Sequence, residues 1–178
     1  MAVMETPRLT LRPFTSLDVP DHARLYGDPE VTRHLAGGPV LPDDVPRRSR
    51  QVVEAFVSHW KDHGFGVWAV IDRASSRFIG QCGLKHLPES SEIEVLYALE
   101  RARWGSGFAS EAAGAALHHG FTAVRLPRIV AVARPDNHSS RRVMDKLGMR
   151  YEGELLVYGG IRALCYAITR EQYLRARG

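Results

Sequence analysis

The amino-acid sequence predicts an α/β domain built on one mixed sheet, and three observations carry that expectation. A helical hydrophobic period up to Gly64 gives way to a period of two that runs on to Leu99. Short polar turns join the segments of that second stretch, as in an antiparallel meander. Beyond residue 100, helical and strand-like stretches alternate with no repeat, low-complexity run or linker between them. At 178 residues the chain suits one substantial core and is short for two, so residues 1–178 are read as a single domain.

The elements follow in order. Arg8 to Phe14 alternates Leu9 and Leu11 and is stopped by Pro13, a first strand. Asp18 offers an N-cap for a short helix from Val19 to Tyr26 that ends near Gly27. Ala36 to Val40 is a loop. A long amphipathic helix runs from Asp43, Asp44 and Pro46 to about His63, with Val52, Val53, Phe56, Val57 and Trp60 on one face. Phe65–Ile71, Phe78–Leu87 and Glu92–Leu99 are three strands. Gly105 to Gly107 lead into an Ala-rich helix, roughly Phe108 to Val124. Arg128–Ala133 is a strand, and a helix from about Ser139 to Leu147 is closed by Gly148. Two strands flank the turn Gly159–Gly160, and a short helix near Glu171 follows.

Composition excludes several classes. Apolar residues make up 44% and charged residues 25%, the balance of a soluble globular protein. A net charge of +4 from 24 basic and 20 acidic side chains, spread along the chain, is not the basic stripe of a nucleic-acid binder. No apolar run reaches the ~18 residues of a membrane span, and no charged start precedes an apolar core. Two distant cysteines, Cys82 and Cys165, point to a reducing compartment and to core packing, so the cytoplasm is expected. His118 and His119 lie mid-helix without a spaced partner, and His86 and His138 read as surface residues, so no metal is expected.

The most informative segment is RARWGSGFASEAA, Arg101 to Ala113. A strand ends at Leu99, two arginines follow, and Gly105, Ser106 and Gly107 open a helix. A helix N-terminus presents unpaired N–H groups and partial positive charge, and glycine lets the backbone come close to a phosphate. A turn and cap would use the same residues. The nucleoside-triphosphate loop is excluded, because no Lys-Ser/Thr follows the second glycine. The dinucleotide fingerprint is excluded as well, because Glu100 to Trp104 separate the glycine from its strand and the strands upstream are antiparallel.

Several segments in their order resemble the GCN5-related N-acetyltransferase superfamily, and within it the RimJ/RimL-like branch. These are TPRLTLRPFTSLD (6–18) with DPEV (28–31), WGSGFASEA (104–112), NHSSRRVMDKLGMRYEG (137–153) and YAITREQYL (166–174). The resemblance implies a mixed, largely antiparallel sheet of six to seven strands flanked by about four helices, with splayed central strands. It implies acetyl-CoA as co-substrate and a primary amine, on a protein N-terminus or a small molecule, as acceptor; a homodimer would be compatible with it. Gly107 and Ala109 match the last two positions of the family's coenzyme loop. Trp104 stands where Gln or Arg is usual, so the loop backbone from Trp104 through Gly105, Ser106, Gly107, Phe108 and Ala109 would hold the diphosphate. The strand Glu92–Leu99 would carry a bulge and part from Arg128–Ala133, with the pantetheine arm pairing near Tyr97 and Leu99. Asn137 matches the coenzyme-facing asparagine; an N-cap would suit it equally.

Amide formation from a thioester needs a neutral amine. An α-amine with pKa ~8 is ~10% neutral near pH 7 and a lysine far less, so a base matters most for the latter. Glu94 is the expected base, with Glu92 on the same face of the strand; both could instead be solvent-facing. The thiolate's usual proton donor, a tyrosine seven residues after Asn137, is replaced by Met144. Ser140 occupies the place where this branch uses a serine, although helix-start capping would also explain it. Tyr97, Tyr151 and Tyr158 are alternatives. Glu111 reads as a first-turn charge favouring the helix dipole. A coenzyme-binding module without turnover is the alternative to an enzyme.

Overall fold

The computed structural model of the protein describes residues 2–177. Eight strands form one sheet: β1 (Met4–Glu5), β2 (Leu9–Pro13), β3 (Val67–Asp72), β4 (Arg77–His86), β5 (Ile93–Leu99), β6 (Arg128–Ala133), β7 (Arg150–Val157) and β8 (Ile161–Thr169). Their spatial order is β1-β2-β3-β4-β5-β6-β8-β7. All neighbours are antiparallel except β5 and β6. The sheet has one strand more than the sequence predicts, the two-residue β1, which is too short to show a period.

The helices are α1 (Val19–Tyr26), α2 (Pro29–Thr32), α3 (Val45–His63), α4 (Phe108–Thr122), α5 (His138–Lys146) and α6 (Arg170–Arg175). Gly64 ends α3 at φ 74° and Gly148 follows α5 at φ 76°, the left-handed closure in which glycine carries no Cβ penalty. Asp28 caps α2 by accepting from the N–H of Glu30. A four-residue helix is below the length at which a hydrophobic period can be read.

Helices cover both faces of the sheet. Leu25 of α1 and Val53 and Phe56 of α3 pack with Val67, Ala69 and Phe78 on one face. On the other, Ala112, Ala113, Ala116 and Phe121 of α4 lie on Trp68, Leu84 and Ile129. The alanines bring that helix close to the strands. Both cysteines are buried, and burial pushes the Cys82 thiol up, so it acts as core packing and not as a nucleophile.

The junction of β5 and β6 positions the site. They share a single register pair, Glu94 with Val130. Leu87 N–H donates to Glu92 and Glu100 N–H to Ile79. That alternation turns the main-chain groups of even-numbered residues toward β4 and those of odd-numbered residues toward β6. Past Val130 the strands part, and the main chain of Tyr97 and Leu99 faces a gap. The expected bulge in Glu92–Leu99 is absent: the β4–β5 register runs unshifted from His86–Ile93 to Gly80–Leu99. The shifts fall in β3–β4 and β7–β8. Loss of pairing with β6 is enough to open the sheet.

Candidate active site

The gap between β5 and β6 widens into a cleft of ≈ 450 Å³. Its floor is β5, its mouth the start of α4, and its far wall α5 with the β7–β8 hairpin. Among the residues expected from the sequence, Glu94, Tyr97, Leu99, Trp104, Gly105 and Gly107 border it, as do Phe108, Ala109, Asn137 and Ser140. Ser106 does not. It turns outward, and its carbonyl accepts from Arg8 Nη1 at 2.9 Å.

The loop before α4 has the form of an anion cradle. Gly105 and Gly107 sit at φ 73° and 82°, so a side chain at either would strain the turn. No side chain caps α4, which leaves its first N–H groups open. Glu111 is engaged on the outside of the helix: it accepts from the Arg8 backbone N–H and Thr6 Oγ1 and pairs with Arg8 Nε at 2.6 Å. These bonds hold its carboxyl below the usual range even though burial pushes the other way. Glu111 therefore anchors the loop through Arg8. The Trp104 indole donates to the Leu99 carbonyl at 2.8 Å. Leu99 O, expected to meet a pantetheine arm, is thus already paired, and the main chain of Tyr97 and the Leu99 N–H are the gap-facing groups that are left. Arg103 pairs with Asp72 at 2.9 Å, while Arg134, Arg142 and Lys146 supply positive charge along the cleft. Arg101 and Arg141 do not border it, and Arg141 instead reaches the Tyr166 hydroxyl.

Glu94 lies at the point where the strands part and is 2% exposed. A solvent-facing strand carboxylate is thereby ruled out at this position. Burial pushes its carboxyl up to about 7, against the pull of Lys85, whose Nζ is 3.2 Å away. The Tyr158 hydroxyl donates to the same Oε1. Tyr158 sits in the β7–β8 turn at φ 51°, a conformation a tyrosine rarely adopts, and Lys85 Nζ lies 4.7 Å from its ring. Glu92 does not join this group. Its carboxylate is bound by Arg128, 3.1 Å away, which also pairs with Glu152, so the two glutamates form no acidic pair at the cleft.

On the α5 wall of the cleft Asn137 caps the helix, its Oδ1 accepting from Ser140 N–H at 3.1 Å. Ser140 Oγ lies 2.8 Å from the Tyr97 hydroxyl, which also donates to the Ser140 carbonyl. Burial pushes the Tyr97 phenol up, so it stays protonated. Met144 is buried and brings only an apolar surface. Tyr97 thus places a phenol beside Ser140 from the neighbouring strand.

Sequence reasoning missed Lys85 and left Tyr158 unranked. Neither shows a local signal, because a pairing across strands brings Lys85 to Glu94 and a turn brings Tyr158. From the sequence the acceptor pocket is expected from the first two helices and the Gly159–Gly160 hairpin. Neither α1 nor α3 borders the cleft, whereas the segment Glu30 to Ala36 does, together with the hairpin.

Comparisons with known proteins agree with this geometry. The family model of the acetyltransferase (GNAT) domain matches residues 8–150. The chain is similar to the uncharacterized N-acetyltransferase p20 of Bacillus licheniformis, 31% identical over 159 residues that cover 89% of this chain and 88% of that protein. An acetyltransferase structure from Agrobacterium tumefaciens superposes with a TM-score of 0.81 at 28% identity, covering 94% of each chain. Mycobacterium smegmatis RimJ, in complex with CoA-disulfide, superposes at 0.73 with 25% identity, covering 94% of this chain and 88% of that one. On the family match over most of its length, with the sheet and cleft that go with it, this chain belongs to the GNAT acetyltransferase family.

Proposed function

We propose that the protein moves an acetyl group from acetyl-CoA to a primary amine by direct attack on the thioester. The observation that carries this reading is the placement of Glu94. It is a buried carboxyl tuned to about 7, at the fork of the sheet, in the same cleft as the uncapped start of α4. Acetyl-CoA supplies the acyl group as a thioester. The N–H groups from Gly107 to Ala109 suit its diphosphate, with Arg142 and Lys146 near enough to add charge. The main chain of Tyr97, unpaired on the gap side, suits an extended amide-bearing arm.

Glu94 accepts the proton of the incoming ammonium, so that a neutral nitrogen attacks the carbonyl carbon. The C–N bond forms as the C–S bond breaks. The nitrogen loses its second proton as the amide forms. Passed through solvent, that proton replaces the one that the Tyr97–Ser140 hydroxyl pair gives to the departing sulfur. The pair thus ends protonated, coenzyme A leaves as the thiol, and Glu94 releases the first proton to solvent; Met144 has no group for this task. Entry between the Glu30–Ala36 segment and the β7–β8 hairpin admits an amine on a flexible chain, such as a protein N-terminus or a small polyamine.

Calorimetry with acetyl-CoA, followed by steady-state thiol release with a panel of N-terminal peptides, free amino acids and polyamines, tests the proposal. Binding in one-to-one ratio with release for at least one acceptor is expected. Tight binding without release for any amine would favour a coenzyme-binding module, and absence of binding would overturn the assignment of the cradle.

A further inference from the structure

Three imidazoles meet outside the cleft. His59 and His63 stand one turn apart at the end of α3, and so share a face of it. His86 is the last residue of β4. One ring nitrogen from each lies within 4.8 Å of the other two. His59 is already oriented as a ligand would be. Its Nδ1 is 2.8 Å from the Phe65 carbonyl, and a carbonyl only accepts, so Nδ1 carries the hydrogen. The lone pair of the neutral ring therefore sits on Nε2, which lies 3.2 Å from Nδ1 of His86 and accepts a long hydrogen bond, 3.4 Å, from the His86 main-chain N–H, a contact that a bound ion would replace. One nitrogen held by a backbone carbonyl and the other turned toward neighbouring imidazoles is the arrangement that fixes metal-ligating histidines.

His63 and His86 are exposed, so their rings have room to turn and bring the nitrogens to the ~3.3 Å separation that tetrahedral zinc bonds impose. The adjoining cation, Lys85, is directed to Glu94, 3.2 Å from its Nζ. Three imidazoles without a carboxylate suit zinc, copper or nickel and not magnesium or calcium.

We propose that His59, His63 and His86 form a three-imidazole site for a divalent transition-metal ion, zinc in the first instance, which ties the end of α3 to the end of β4. Solvent completes the coordination. Because β4 carries Lys85 next to His86, the bound ion would steady the strand end that faces Glu94.

The test is calorimetry of tag-free, chelator-treated protein with zinc chloride in a non-coordinating buffer, with melting followed in parallel. One equivalent per chain is expected, with a Tm that rises with zinc concentration. The exposed-site variants His63→Ala and His86→Gln should fold normally by circular dichroism and bind zinc at least about tenfold more weakly. A His118→Ala variant, altered on α4 well away in the sequence, should bind as the parent does. Absence of binding to the parent protein, or binding undiminished in both variants, would overturn the proposal.

Discussion

Glu94 concentrates the chemistry of the cleft and also its cost. A carboxyl moved from 4.5 to about 7 by burial has its charged form disfavoured by on the order of 3 kcal/mol. The folded protein therefore holds this proton more tightly than the unfolded chain does. The stability that goes with the protonated form is complete below 4.5, declines as pH rises, and is lost above about 7. Glu94→Gln escapes that loss. Its Tm relative to the parent should climb between pH 4.5 and 7 and level off above, while thiol release falls about 100-fold or more. A gap in Tm that is flat across that range would show Glu94 to be solvated. Lys85 acts in the opposite direction, favouring the carboxylate. In Lys85→Met the midpoint of the rate–pH profile should move to higher pH than in the parent, measured with one amine so that its own ionisation is common to both. A shift to lower pH would contradict the role of Lys85.

At the scale of elements, the start of α4 is held from outside by Arg8, which joins Ser106 O and Glu111 to the first long strand. The turn depends on glycine at 107 because of its φ of 82°. A valine there carries ~1–2 kcal/mol of left-handed strain and places a side chain at the helix start. Gly107→Val should lower Tm modestly and weaken acetyl-CoA at least about tenfold, read by calorimetry. Affinity unchanged in a folded variant would move the diphosphate elsewhere. This element was legible in the sequence, since Gly-Ser-Gly before an Ala-rich helix states both its backbone and its packing. α2 was not, because four residues show no period, and neither was the role of Trp104, whose indole acts on Leu99 through a local fold-back.

For the whole molecule, the sheet is the structure on which everything else depends, and at Gly83 β4 runs tightly against the residues entering β3. A Cβ on Gly83 would stand 2.4 Å from both Gly66 O and Val67 Cα, backbone atoms that cannot yield. Gly83→Ala should cost about 3 kcal/mol, a fall in Tm of roughly 6–12 °C. Gly114→Ala offers the contrast. It lies inside α4, and the nearest atom to its added Cβ is Leu147 Cδ2 at 3.7 Å. It should stabilise the protein by about 0.5–1 kcal/mol. Thermal melts of the two variants decide between steric contact and mere loss of glycine as the cause.

Sequence alone determined the elements from Leu9 onward apart from α2, the mixed sheet and the loop that opens α4, because period, caps and glycine placement are local properties of the chain. It also named Glu94 and Ser140. It did not determine that Glu94 is buried, that Glu92 is drawn away by Arg128, that Lys85 and Tyr158 converge on one carboxylate oxygen, or that His86 joins two histidines of α3. Those facts depend on strand register and on where two strands stop pairing, and such distances between remote residues are set only when the whole sheet closes.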